Sequence, residues 1–139
     1  VNAMSTSVVP KFTVVIGNSY GAGNYAMYGK AYDPRLIAAW PTANIAVMSG
    51  GSAAKTLLQI QVATLEAKGE KITEEAKEKL LKEITERYDK QTSPYYAASR
   101  LWVDNVIDPL DTRKWISMGI EAANNAPIEK PYNVGVLQT

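Results

Sequence analysis

The chain contains no cysteine and no histidine. Without them it cannot hold a typical zinc site, pair a thiolate with an imidazole, or complete a serine–histidine–aspartate triad from its own residues. No disulfide framework is possible, and the lack of cysteine is compatible with a reducing compartment. Fourteen acidic residues face fifteen basic ones, leaving a net charge of +1, so nothing points to a nucleic acid or another polyanion as partner. No run approaches the roughly 20 apolar residues that cross a bilayer. The amino end lacks the charged and apolar regions of a signal peptide, and no membrane partner is expected. An apolar content of 46% over 139 residues suffices for one modest core, so residues 1–139 are expected to form one domain.

What the chain does have is the stretch Ile16-Gly17-Asn18-Ser19-Tyr20-Gly21-Ala22-Gly23-Asn24-Tyr25-Ala26-Met27-Tyr28-Gly29, set directly after the apolar run Phe12 to Ile16. A β-branched run that breaks into glycines and small residues and then resumes a helix-compatible pattern predicts a strand, a tight loop and a helix start. Such a junction presents unpaired backbone N–H groups at the positive end of a helix dipole. Those donors suit an anion, or a carbonyl oxygen that becomes one.

Val1 to Ser7 has the character of a helix end, stopped by Pro10. Strands are predicted at Lys11–Ile16, Leu36–Trp40 and Asn44–Met48, each short and nearly all apolar, as in strands buried on both faces. A helix is expected from Ser52, read as its N-cap, to Ala67, with an apolar face wide enough for more than one neighbour. A second runs from Thr73 to Gln91 with the narrow stripe Leu80, Leu81, Ile84 and Tyr88; Glu75 falls one residue short of capping-box spacing. Together they read as a projecting helical hairpin, about residues 52–91, whose charges form a solvated face. Ser93-Pro94 begins a third helix reaching Val103. Asn105 to Ile107 reads as a short strand, and Asp108 to Thr112 opens a last helix ending before Pro127. The tail, residues 127–139, carries no expected structure. No internal repeat and no low-complexity segment is visible.

Lys11 to Gly29, the turn Ala31-Tyr32-Asp33-Pro34-Arg35, the segment Trp40 to Met48 and Val106 to Arg113 resemble, in order, the carboxyltransferase β subunit of biotin-dependent acyl-CoA carboxylases. The Gly-Asn-Tyr form of the loop, Ser93-Pro94-Tyr95-Tyr96 and Asn125-Ala126-Pro127-Ile128 are most similar to the methylcrotonoyl-CoA and geranyl-CoA carboxylase branch. The resemblance implies an α/β, crotonase-like fold in which ββα units stack into a spiral. It covers the later part of the second, C-terminal carboxyltransferase domain, so a fragment lacking the acyl-CoA half is expected. It further implies carboxyl transfer from carboxybiotin to an acyl-CoA, with 3-methylcrotonoyl-CoA as acceptor and propionyl- or acetyl-CoA as the alternatives. The biotin would be carried on a partner, the biotin carboxylase/biotin carrier α subunit, and coenzyme A thioester would be the substrate. A homo-oligomer of β subunits, a hexamer in the intact protein, would follow. So would a cytoplasmic location in bacteria or the mitochondrial matrix in eukaryotes. By match to the family loop, the backbone N–H groups of Ala22 and Gly23 would hold the biotin ureido oxygen, with Tyr20, Gly21 and Tyr25 completing the cofactor-binding loop.

Other readings compete. Gly-Ala-Gly after a strand is commonly a plain turn, and Tyr20 and Tyr25 could be partly buried structural tyrosines. Asn18 and Asn24 are expected to shape the loop through side-chain to backbone bonds. Trp40, Trp102 and Trp115 read as core or subunit contacts, Met27, Met48 and Met118 as packing, and Asp33 with Arg35 as a local turn network. Asp108, Asp111 and Arg113 would cap and neutralise the last helix. A biotin-independent crotonase-like hydratase or isomerase would need carboxylates beside the oxyanion site. Between Ile16 and Arg35 only Asp33 is acidic. An assembly element with exposed strand edges is the remaining rival. The chain has neither a carrier-type sequence around a lysine nor a nucleotide-binding fingerprint, so biotin attachment and the ATP-dependent step would belong elsewhere.

Overall fold

The computed structural model describes residues 1–69 and 73–126. After a short helix α1 (Asn2–Thr6), the chain forms β1 (Phe12–Val15), β2 (Asn18–Tyr20), α2 (Gly21–Ala26), β3 (Leu36–Ala39), β4 (Asn44–Ala46), α3 (Gly50–Ala67), α4 (Glu74–Thr92), α5 (Pro94–Ser99), β5 (Asn105–Val106) and α6 (Thr112–Asn124). Single 3₁₀ turns at Lys30–Tyr32 and Pro109–Asp111 precede β3 and α6.

The strands fall into two parallel sheets. The larger, referred to below as the outer sheet, has the order β1-β3-β5, and the smaller pairs β2 with β4. Phe12 is registered with Leu36, 24 positions on, and Asn18 with Asn44, 26 positions on. Each turn of chain therefore lays its first strand on one sheet and its second on the other, which is the expected spiral of ββα units. The repeat is structural and leaves no sequence self-similarity, because it is specified by pairing and burial rather than by residue identity.

Alanines are poor strand formers, yet Ala38 and Ala39 lie in β3 with no exposed surface. β3 is held by its neighbours on either side, and its small side chains let helices approach the sheet. The core gathers Val15, Ile37, Ala39, Ala43, Ile45, Ala97 and Val103 between the sheets and α5. Helix α6 lies against the outer sheet at Gly119, where a Cβ would stand 2.8 Å from Cε1 of Phe12. The indole N–H of Trp40, just past β3, donates to Thr112 Oγ1 at 2.9 Å and ties the sheet to the start of α6.

Several boundaries differ from expectation. The polar triplet Asn18-Ser19-Tyr20 is a strand, not loop, because it finds β4 as a partner. α3 begins at Gly50 and is capped by Ser49, whose hydroxyl accepts the Ser52 N–H at 3.4 Å; Ser52 itself lies within the first turn. α3 packs chiefly on α4, leaving Ile60 exposed, so its wide apolar face has one main neighbour rather than several. α5 stops at Ser99 rather than Val103. Leu101 takes a left-handed φ of 60°, and the N–H groups of Leu101 and Trp102 close back on Ala98 O and Ala97 O at 3.0 and 2.9 Å. That is a Schellman closure, and it ends the helix. Met27, Met48 and Met118 are exposed rather than packed, since they lie on faces that no described element covers. Asp33 and Arg35 form no ion pair or side-chain bond among the described residues; Asp33 ends its turn in the left-handed region, which aspartate tolerates. Asp108 caps the 3₁₀ turn through Leu110 N–H at 2.8 Å, ahead of α6. The expected tail, 127–139, lies outside the described residues.

Candidate functional site

The glycine stretch sits where β2 leaves the smaller sheet. Tyr20 is the N-cap of α2 and offers no side-chain cap. Gly21 follows with φ 52°, and a Cβ there would stand 2.9 Å from Val47 O. Only glycine satisfies both conditions, so the chain turns sharply from strand to helix at this point. The N–H groups of Ala22 and Gly23, within the first helical turn, make no loop or cap hydrogen bond among the described residues. Both residues are exposed, and a Cβ on Gly23 would meet nothing within 4 Å. Two adjacent backbone donors thus sit on exposed residues with no loop or cap partner among the described residues.

Beside this turn lies a cavity of about 500 Å³. Val15, Ile37 and Ile45 form its apolar base, and Tyr25, Tyr96 and Trp102 are among its aromatic walls. The structure thus brings Gly21 and Tyr25 to the cavity. Tyr20, Ala22 and Gly23 stay outside its lining, on the exposed side of the turn. Tyr20 Oη instead donates to Asn18 Oδ1 at 3.3 Å, and Asn18 Oδ1 also accepts from Asn44 Nδ2 at 3.1 Å. Asn18 therefore shapes the turn through side-chain partners across the two strands, not through the backbone as expected.

The far side of the loop is held by aromatic stacking. Tyr32 stacks on Tyr28 with ring centroids 6.0 Å apart and meets Tyr25 edge-on at 6.2 Å. Tyr28 is buried with φ 69°; its carbonyl accepts from Thr13 Oγ1 at 2.9 Å, and Lys11 Nζ lies 4.3 Å from its ring centroid. A tyrosine in the left-handed region is uncommon, and these contacts hold it there.

Two residues that the sequence did not single out meet here: Lys30, which lines the cavity, and Asp104, which pairs with it. Among the described residues, Lys30 is the only charged one in the cavity lining. Its Nζ donates to Asp104 Oδ1 at 2.8 Å, while Asp104 Oδ2 accepts the Ile37 N–H at 2.8 Å. Partial burial pushes the Asp104 carboxyl up, but the Lys30 hydrogen bond, the Ile37 N–H and the Lys30 charge outweigh it and hold the carboxyl below its usual value. The pairing spans 74 positions and has no local sequence signature. Among the described residues no group of histidine, cysteine, aspartate or glutamate could hold a metal ion.

Strands alternating between two parallel sheets, with an uncapped glycine turn leaving the smaller one, define a crotonase-like α/β spiral. The chain belongs to the carboxyl transferase domain family, whose model matches residues 1–135. It is 47% identical over 129 residues to the mitochondrial methylcrotonoyl-CoA carboxylase beta chain of Arabidopsis thaliana, covering 93% of this chain and 22% of that protein. Identity to the biotin-dependent 3-methylcrotonyl-coenzyme A carboxylase beta1 subunit of Mycobacterium tuberculosis is 42% over 130 residues, covering 94% and 25%. Among solved structures, the beta subunit of P. aeruginosa geranyl-CoA carboxylase aligns with a TM-score of 0.77 at 35% identity, over 97% of this chain and 25% of that one. The transcarboxylase 12S hexamer aligns with a TM-score of 0.73 at 32% identity, over 96% and 25%. The chain spans about a quarter of the length of these relatives.

Proposed function

We propose that this chain forms the biotin-side part of a carboxyltransferase that moves a carboxyl group from carboxybiotin to an acyl-CoA, with 3-methylcrotonoyl-CoA as acceptor. The observation that carries the reading is the pair of uncapped N–H groups at Ala22 and Gly23, in a chain of the carboxyl transferase family. Open space over Gly23 gives a ligand oxygen access to the main chain. The apolar, aromatic cavity alongside suits a small ring better than a charged one.

Bound carboxybiotin supplies the transferable carboxyl group, and the chain's own share is electrostatic. The N–H groups of Ala22 and Gly23 stabilise an oxygen that gains negative charge, and one such donor is worth about 10²–10³ in rate. Tyr25 supplies wall, and Gly21 sets the angle at which the two donors leave the strand. Biotin would arrive on a biotin carboxylase/biotin carrier partner, because nothing in this chain marks a site for its attachment. The acyl-CoA side and the hexameric assembly would come from the rest of the subunit and its copies, as the 12S neighbour's hexamer suggests. The location would be the mitochondrial matrix in a eukaryote, the Arabidopsis relative being mitochondrial, or the cytoplasm in a bacterium.

Among the described residues no carboxylate lines the cavity, which disfavours the hydratase or isomerase reading. Asp33 is exposed at the end of a 3₁₀ turn and does not line the cavity. The test is reverse carboxyl transfer by the full-length subunit containing this chain, with free biocytin as acceptor and a panel of carboxylated CoA thioesters. Biocytin-dependent consumption of 3-methylglutaconyl-CoA, with methylmalonyl- and malonyl-CoA untouched, is the expected result. Activity on the shorter thioesters instead would overturn the choice of acyl group, and no biocytin-dependent activity with any would overturn the carboxyltransferase assignment.

A further inference from the structure

We propose that Asp104 is a positioning residue for the glycine loop, acting on it through Lys30; the inference rests on the biotin-side role proposed for that loop. Asp104 is fixed to β3 twice, since its N–H donates to Ile37 O and its Oδ2 accepts the Ile37 N–H, both at 2.8 Å. With Oδ2 so engaged, Oδ1 accepts from Lys30 Nζ at 2.8 Å.

Lys30 is the residue at which the loop ends. Gly29 N–H donates to Asn24 O at 2.9 Å and Tyr32 N–H to Gly29 O at 3.0 Å, so backbone bonds link the chain from Asn24 to Tyr32. Thr13 holds that segment from the β1 side through Tyr28 O. Lys30 and Asp104 tie it to β3, with Lys30 at the cavity that Trp102, two residues before Asp104, also lines.

The energetics favour placement over stability. The Lys30 and Asp104 side chains are 42% and 35% exposed, and exposed ion pairs contribute little to folding. A carboxylate anchored by a backbone N–H is nonetheless a precise tether. Donor sites must be held to about 0.5 Å, and a misplacement of about 1 Å can cost about 10²-fold in rate.

In the full-length subunit, Asp104→Asn keeps an acceptor for the Ile37 N–H and removes the charge that Lys30 seeks. Its KM for biocytin in reverse transfer should rise about tenfold while the KM for the CoA thioester stays within about twofold. Lys30→Gln should match it, Lys30→Arg should stay near wild type, and the double variant should be no worse than either single one. Equal rises in both KM values, no rise in either, or multiplying effects in the double variant would overturn the proposal. Hydrogen exchange gives a second readout, independent of activity. Amides of residues 21–32 should exchange faster in both charge-removing variants, with α6 unchanged; unaltered exchange in the loop overturns the latch. A wild-type subunit inactive with biocytin would sink the functional reading, and the exchange comparison would then decide the latch alone.

Discussion

Asn24 and Gly29 close the glycine loop by two contacts at once. The Gly29 N–H donates to Asn24 O at 2.9 Å, and the Asn24 carboxamide oxygen occupies the space that a Cβ on residue 29 would need. Gly29 has φ −66°, a value open to any residue, so the requirement for glycine here is steric and not conformational. Gly29→Ala should destabilise the subunit by about 1–3 kcal/mol. Adding Asn24→Ala should restore much of that loss, a coupling that a double-mutant cycle by urea denaturation measures. Additive effects would remove the contact from the account.

Gly21 and Gly23 should behave oppositely. Gly21→Ala combines a left-handed φ with a close approach to Val47 O and should cost about 1–2 kcal/mol from backbone strain alone. Gly23→Ala should fold normally. Gly23→Pro removes the N–H donor, and biocytin turnover should fall by at least about 10²-fold. Full turnover in the proline variant would take Gly23 out of the site.

The Asp104 carboxyl is held below the usual aspartate value of 3.8 in the folded protein. A depressed folded value means that the unfolded chain binds more protons in acid, so the stabilisation is present above about pH 4 and is lost as pH falls through the folded value. The gap in thermal midpoint between wild type and Asp104→Asn should therefore hold steady from neutral pH to about pH 4 and close below it. A gap that widens on acidification would contradict the assignment.

Leu101 occupies the position after the α5 C-cap that glycine favours, with φ 60° and 78% exposure. Leu101→Gly removes about 1–2 kcal/mol of left-handed strain and adds about 0.4–1 kcal/mol of unfolded-chain entropy. A net gain of about 0.5 kcal/mol should appear as a raised denaturation midpoint. A lowered midpoint would show that the leucine makes a stabilising contact elsewhere in the subunit.

The sequence exposed the outer-sheet strands and long helices readily, because β-branched runs and helical periodicity are local signals. β2 was hidden because Asn18-Ser19-Tyr20 has loop composition and becomes a strand only through β4, which lies 26 positions further on. The start of α3 was displaced because Gly50 and Gly51 look like a loop, although a helix tolerates them in its first turn behind Ser49. At the site, the small residues Gly21, Ala22 and Gly23 marked a turn after a strand, whereas the donor role proposed for Ala22 and Gly23 comes from the family resemblance and not from spacing. The Lys30 and Asp104 pair was not, since neither residue has a patterned neighbour and only the third strand of the outer sheet brings them together.

The unequal offsets along the outer sheet bear on how the protein folds. β1 finds β3 after 24 positions, whereas Ala38 finds Asn105 only after 67, the intervening chain being spent in α3, α4 and α5. Closing the longer span carries a larger entropic cost before any contact offsets it. The β1–β3 pair can thus form early, while β5 and the Asp104 that follows Val103 dock last. The glycine loop would then acquire its final position only once β5 has paired with β3 and brought Asp104 to Lys30.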